Sequence, residues 1–302
     1  MEQKKERSRS VCRPRQEELD DAALLSRIIS LLRFPLIVGI VCIHAGVPES
    51  VVSAVGSHAV YDFVHEWSAQ VVARVAVPLF FLISGYLFFL NVERLTLAAY
   101  GHKLWKRVRT LFVPYVWWNV AAVLVAWLFH TYVFHLRSTV PHWDLSHWLS
   151  VWWDYRGGMP YNYPLWYIRN LMLMAVAAPL QWWLLKRLPR PVLLLTGVWW
   201  LLSGGNAATT VFFFMLGAWL GIGKRSFGWA LWRLARPAGL LYVMWSVVEA
   251  GWGREFMPSV FHQLGIVLGA VCVMGLAARY VVHGGRQWKW LQASSFWIYA
   301  HT

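Results

Sequence analysis

The sequence predicts an all-α protein, a polytopic bundle of transmembrane helices. Hydrophobic residues make up 58% of the 302-residue chain and charged residues only 14%, whereas soluble domains hold roughly 45–50% and 25%. The apolar residues are collected in runs, several of which reach the ~20 residues that cross a bilayer. Lys, Arg, Gly or Pro interrupt the chain between the runs, so that separate membrane spans are expected rather than one large core.

About nine helices are expected from the lengths and spacing of the apolar runs. The predicted spans are 28–48, 71–90, 110–134, 164–185, 190–203, 207–222, 237–252 and 258–279, and a ninth helix begins near Leu291 and is still apolar at Thr302. Twelve residues are too few to cross a membrane, so we expect the domain at 23–302 to be incomplete at its C-terminus. Residues 1–22 are expected to form a disordered cytoplasmic tail, without the apolar core of a cleaved signal peptide.

The distribution of positive charge predicts the topology. The formal net charge is +14, and of the 28 Lys and Arg residues 23 fall in alternate connections, three in the intervening ones and two, Arg74 and Arg169, in predicted spans. Cytoplasmic loops carry such an excess. The N-terminus is therefore expected in the cytoplasm, and the protein in a bacterial-type inner membrane. We expect these cations to contact membrane lipids and not nucleic acid. Three cysteines without CxxC spacing predict no disulfide framework and no zinc site.

The first span holds two polar residues where charge is costly. Arg33 and His44 are eleven residues apart, which on a helix is ~20° beyond three turns and a rise of ~16 Å. Both therefore share one helix face. An unprotonated imidazole can take a hydroxyl proton, and an arginine at the inner mouth can bind an anion. The alternative is an Arg that snorkels to the interface and a His bonded to a neighbouring helix.

Three further stretches carry cations, small residues or aromatic residues at predicted helix ends. They are RVAVPLFFLISGY at 74–86, KRVRTLFVPY at 106–115 and LWYIRNL at 165–171. Each also has a plain interpretation, as a kinked packing helix, a basic interfacial anchor or an interfacial arginine. The 22 tryptophans are numerous between 142 and 167, where they predict either an interfacial aromatic belt or a platform on which sugar rings stack.

Together with the Arg-x10-His pair and the closing SFWIYAH at 295–301, these stretches resemble the acyltransferase-3 family of integral membrane acyltransferases. The family usually has about ten helices. The resemblance implies transfer of an acyl group, commonly acetyl from acetyl-CoA, to a hydroxyl of a cell-envelope glycan or lipid-linked sugar. It implies that His44 is the catalytic base, that Arg33, Arg107 and Arg109 bind the acyl-CoA donor, and that no metal is needed. Acceptor or groove candidates are Arg74, Ser84, Trp166 and Arg169.

Elementary chemistry agrees with a phosphate-bearing donor. Coenzyme A carries several phosphate charges and is made in the cytoplasm, where the cations of this chain are expected, and Arg suits phosphate oxygens. The alternative is a membrane transporter or polysaccharide exporter. An ion-coupled carrier needs Asp or Glu inside the bundle, and the predicted spans offer only Glu249.

Overall fold

The computed structural model of the chain describes residues 20–44, 59–129, 132, 145–154, 157–225, 227–252 and 258–285. In these ranges the α-helices are α1 (Asp21–His44), α2 (Ala59–His65), α3 (Ala76–Phe89), α4 (Leu97–Arg107), α5 (Val113–Phe129), α6 (Leu145–Trp153), α7 (Trp166–Val176), α8 (Ala178–Arg187), α9 (Pro189–Ser203), α10 (Asn206–Ile222), α11 (Gly228–Trp252) and α12 (Ser259–Val282). No β-strand occurs in the described ranges. The predicted all-α fold is confirmed.

Four continuous helical segments are long and apolar enough to cross a bilayer, so the chain is a multi-pass membrane protein. They are Asp21–His44, Val60–Phe89, Leu97–Phe129 and Ser259–Val282, and a fifth follows if α7 and α8 count as one bent span. A helix of 24 residues is ~36 Å long, which exceeds the ~30 Å hydrocarbon core. The structure packs these segments with α9, α10 and α11 into a bundle with two buried apolar clusters.

The predicted fourth span, 164–185, is wrong as a single helix. It breaks at Ala177 into α7 and α8, which meet at an angle of 62°. Pro179 has no N–H to donate to the carbonyl of Ala175, and beside it the side-chain nitrogen of Gln181 donates to the carbonyl of Met174 at 3.0 Å. The break is therefore stabilised by a buried side chain that a hydropathy pattern does not reveal.

Three other helical segments begin earlier in the chain than predicted. Helical backbone starts at Ala59 instead of residue 71, at Leu97 instead of 110 and at Gly228 instead of 237. These extensions carry polar residues that an apolar window excludes. The predicted N-terminal tail up to residue 19, the stretch 45–58 and the predicted ninth helix from Leu291 lie outside the described residues.

Helices α3 and α10 approach each other through glycines. A methyl group at Gly85 would overlap the carbonyl of Phe214, and one at Gly217 would overlap the carbonyl of Leu82. At Gly221 it would lie 2.6 Å from the carbonyl oxygen of Tyr86. Small residues allow such backbone contact between membrane helices. Gly217 and Gly221 are therefore packing residues, as their GxxxG spacing indicates.

A buried polar pair joins α11 to α12. Glu249 is 1% exposed, and one of its carboxylate oxygens contacts Nδ1 of His262. A charged group inside a membrane bundle needs such a partner. Nearby, Trp67 donates from Nε1 to the hydroxyl of Ser246 at 3.1 Å, which links α11 to the π-helical segment Glu66–Val72.

The glycine contact between α3 and α10 gives a stability prediction. Gly217→Ala should lower the thermal midpoint of the detergent-solubilised protein, because overpacking costs typically about 1–3 kcal/mol. Gly251→Ala is the matched control, since nothing lies within 4 Å of a methyl group at that position. Thermal unfolding followed by tryptophan fluorescence measures both. A Gly217→Ala protein as stable as the Gly251→Ala protein would contradict the backbone contact.

Candidate active site

A cavity of about 250 Å³ lies at the C-terminal end of α1, and we name it the His44 chamber. His44 is exposed to it, and the ring of Tyr163 stands perpendicular to the imidazole with centroids 5.6 Å apart. The lining residues are Ile40, Ile43, His44, Arg74, Val77, Tyr163, Pro164, Trp166, Tyr167 and Asn206. The chamber therefore combines a potential base, a cation and aromatic faces.

A second cavity of about 270 Å³, the Arg33 chamber, lies further toward the start of α1. Its wall is mostly apolar, with two guanidinium groups and two hydroxyl groups. The lining residues are Arg33, Ile37, Ile40, Phe80, Ile83, Ser84, Leu87, Arg107, Leu111, Tyr167, Ile168 and Leu171. This composition suits a ligand with an anionic end and a long, largely apolar arm.

The two chambers adjoin along one face of α1. Arg33 lines one chamber and His44 the other, and Ile40 and Tyr167 line both. Arg33, Ile37, Ile40 and His44 follow a spacing of four, three and four residues, which keeps them on one helix face. The structure thus brings the two ends of the Arg-x10-His pair to a common groove with a partition in it.

Arg74 reaches the His44 chamber from a distorted part of the second span. It lies in the 3-10 turn Ala73–Val75, which joins the π-helical segment to α3. Pro78 lacks the N–H that would bond the carbonyl of residue 74, which explains a loss of regular α-helix here. The side chain of Arg74 donates to Oε1 of Gln70 at 2.6 Å and 3.2 Å, and this contact fixes the guanidinium beside the chamber.

Arg107 and Arg109 lie in different surroundings in the structure. Arg107 lines the Arg33 chamber, where its guanidinium lies 5.7 Å from the ring centroid of Phe88. Arg109 is exposed and stacks on Trp105 at 5.2 Å, outside both chambers. They are two residues apart, about 200° on a helix, so their side chains leave opposite faces. Of the three predicted donor-binding arginines, Arg33 and Arg107 line the groove and Arg109 does not.

Ser84 and Trp166 each line one chamber. The hydroxyl of Ser84 lies 3.3 Å from that of Tyr167, within the Arg33 chamber. Trp166 is buried, lines the His44 chamber and packs near Phe81 with centroids 6.2 Å apart. Tyr167 and Asn206 also reach the chambers, and the sequence analysis did not single them out. The one sequence feature that could have indicated Tyr167 is its place beside Trp166 in the LWYIRNL stretch.

Arg169, predicted as an acceptor or groove residue, lies outside both chambers and contacts backbone carbonyls. It donates to the carbonyl of Gly158 at 2.7 Å, contacts the carbonyl of Trp153 and stacks on the Trp153 ring at 5.2 Å. It borders a third, apolar cavity of about 220 Å³ that Arg107 also reaches. Arg169 therefore ties the segment after α6 to α7 and does not line the His44 chamber.

In the part of the chain that the structure describes, no group of three His, Cys, Asp or Glu side chains could hold a metal ion. Cys42 and Cys272 are free thiols, the first exposed and the second buried. The described chemistry of the groove is thus that of an imidazole, guanidinium groups, hydroxyl groups and aromatic rings.

Comparison with known proteins gives a consistent result. The succinoglycan biosynthesis protein ExoH of Rhizobium meliloti (strain 1021) is 29% identical over 182 residues, which are 57% of this chain and 46% of that protein. The matched region thus spans less than half of the relative. No solved structure matches the chain. The model of the acyltransferase domain family matches residues 27–301, nearly the whole chain. The protein therefore belongs to the acyltransferase-3 family.

Proposed function

We propose that this protein transfers an acyl group, acetyl in the first instance, from acyl-CoA to a hydroxyl of an envelope glycan or lipid-linked sugar. The observation that carries the proposal is the groove along α1, with Arg33 and Arg107 in one chamber and His44 in the next. Transfer from acyl-CoA needs an anion-binding site for the donor phosphates and a base near the far end of the pantetheine arm, and the residues of this groove suit both roles.

The donor enters the Arg33 chamber with its phosphates outside. A volume of about 270 Å³ lies below the roughly 300–1,000 Å³ of pockets that enclose a whole drug-sized ligand, so only the pantetheine arm fits inside. Arg33 and Arg107 bind phosphate oxygens at the mouth, and the exposed Arg109 adds charge outside it. The ~16 Å rise between Arg33 and His44 is within reach of an extended arm.

His44 then acts as the general base. Its imidazole takes the proton of the acceptor hydroxyl, whose oxygen attacks the thioester carbonyl carbon. The carbon–sulfur bond breaks, and the sulfur leaves as a thiolate that receives the proton from the imidazolium. Arg74, in the same chamber, can donate hydrogen bonds to a sugar oxygen or to the developing oxyanion.

A glycan acceptor is supported by two independent observations. The relative named above acts in the biosynthesis of succinoglycan, a polysaccharide. The His44 chamber is lined by Tyr163, Trp166 and Asn206, whose aromatic faces and amide group are the kinds of side chain that contact sugar rings and hydroxyl groups.

We place the N-terminus and the Arg33 chamber on the cytoplasmic side of the inner membrane. Connections predicted to share that side contact each other: Lys224 bonds Glu93 at 3.0 Å, and Asp21 accepts from the backbone of Trp229 at 2.9 Å. The hydrogen bond and charge of Lys224 lower the pKa of the exposed Glu93 carboxyl. Donor entry from the cytoplasm and acceptor approach from outside follow from this orientation.

The base assignment predicts that His44→Ala abolishes acyl transfer while expression and membrane insertion stay near normal. Loss of a general base typically costs ~10²–10⁴ in rate. Membranes supplied with radiolabelled acetyl-CoA and an envelope fraction report the label transferred to glycan. His102→Ala, which removes an exposed imidazole of α4, is the control. Wild-type turnover in the His44→Ala protein would contradict the assignment.

The donor site predicts a raised KM for acyl-CoA in Arg33→Ala and Arg107→Ala. Hydrogen bonds to charged groups contribute about 1.5–3 kcal/mol, which corresponds to roughly tenfold to hundredfold in apparent affinity. Arg109→Ala should have a smaller effect that added salt removes, because exposed charges are screened. Arg190→Ala, an exposed cation outside the groove, is the control. If none of the variants at Arg33, Arg107 and Arg109 differs from it, these cations serve topology alone.

The orientation predicts which positions an impermeant thiol reagent reaches on intact cells. In a background without Cys12, Cys42 and Cys272, a cysteine at Ser146 should react and one at Ser226 should not, because the 23-to-3 distribution of Lys and Arg places basic connections inside. Permeabilised cells should label both and serve as the control. The reverse pattern would place the Arg33 chamber outside and remove the route for coenzyme A.

A further inference from the structure

Two side chains form the partition between the chambers. Ile40 from α1 and Tyr167 from α7 are the residues that line both the Arg33 chamber and the His44 chamber. They come from two different helices that border the groove. A ligand that extends from Arg33 to His44 along α1 therefore has to pass between them.

The partition is held by packing on regular helices. Ile40 is 4% exposed and lies within α1. The ring centroid of Tyr167 lies 4.6 Å from that of Phe81 and 5.8 Å from that of Phe80, both from α3. The hydroxyl of Tyr167 lies 3.3 Å from that of Ser84. Side chains in such surroundings keep one rotamer and yield little to an oversized ligand.

The position of the partition determines which part of the donor meets it. His44 follows Ile40 by four residues, a rise of ~6 Å, whereas Arg33 precedes it by seven, ~10 Å. With the phosphates at Arg33, the acyl group at the far end of the arm reaches the partition first. The base beyond it acts only on an acyl group that fits between the two side chains.

We propose that Ile40 and Tyr167 select the acyl group by size and favour the shortest acyl chain. This inference rests on the proposed function and adds to it the residues that set the acyl specificity. The ring of Tyr167 supplies the barrier on one side, and the branched side chain of Ile40 supplies it on the other.

Three isoleucines of α1 make a matched test. Ile37 lines the Arg33 chamber alone, Ile43 lines the His44 chamber alone, and Ile40 lines both. Each is changed to alanine in the full chain, and membranes receive radiolabelled acetyl-CoA or butyryl-CoA with an envelope fraction as acceptor. The measured quantity is the ratio of butyryl to acetyl transferred to the glycan fraction.

Ile40→Ala should raise this ratio by about tenfold or more, since one methylene in a hydrophobic pocket changes discrimination by 10–200-fold. Ile37→Ala and Ile43→Ala should leave it near the wild-type value. Tyr167→Phe should also leave it unchanged because the ring remains, whereas Tyr167→Leu should raise it. Immunoblots of the membranes normalise each variant, and Ile40→Val, with one methyl group fewer, gives a smaller rise if Ile40→Ala fails to accumulate.

The outcomes separate this inference from the function on which it rests. If the wild-type chain transfers neither acyl group and behaves as His44→Ala does, the proposed function is wrong. If it transfers acetyl but Ile40→Ala shows the same ratio as Ile37→Ala and Ile43→Ala, the function stands and the partition is overturned as the size filter. A wild-type chain that transfers butyryl as well as acetyl also overturns it.

Discussion

The cost of placing charge inside an apolar bundle is the constraint on which this structure depends. A central arginine costs ~2.5–3.5 kcal/mol on insertion scales, so a partly buried cation such as Arg107 is favoured where a cavity, and not lipid, surrounds its guanidinium. The bundle meets this need by covering the Arg33–His44 face of α1 with α3, α7 and the segment after α4. The chambers are the spaces that this covering leaves beside the polar groups.

Prolines accompany the distorted helical backbone near the cations of two other spans. Pro78 and Pro114 follow Arg74 and Arg109 by four and five residues, and each removes one backbone hydrogen bond from the preceding turn. The backbone there is 3-10 or π-helical, in Ala73–Val75 and Val108–Phe112. Such interruptions rotate the side chains that precede them relative to the rest of the helix. Arg107 and Arg109 are two residues apart, about 200° on a helix, so one lies in a chamber and the other outside.

The sequence was sufficient for the fold class, four of the predicted spans, the glycine packing at Gly217 and the common face of Arg33 and His44, because each depends on local periodicity or composition. It was not sufficient for the break at Ala177, which needs the Gln181 side chain to satisfy a carbonyl. It also missed Tyr167 and Asn206 as chamber residues. Their positions depend on how α7 and α10 pack against α1, which no local pattern encodes.

A partition between two chambers suits a transferase better than a carrier. A carrier must pass its whole substrate, and an ion-coupled one needs an available carboxylate in the bundle, whereas Glu249 is buried and engaged by His262. In the proposed reaction the acyl group and the end of the pantetheine arm pass the partition, while the nucleotide part of coenzyme A and the glycan stay on their own sides. Because the wall is apolar on the Ile40 side and closely packed at Tyr167, it also limits water at the thioester, whose hydrolysis would waste the donor. In the proposed reaction Ile40 and Tyr167 therefore keep the donor and acceptor chambers apart and still let the acyl group reach the acceptor hydroxyl.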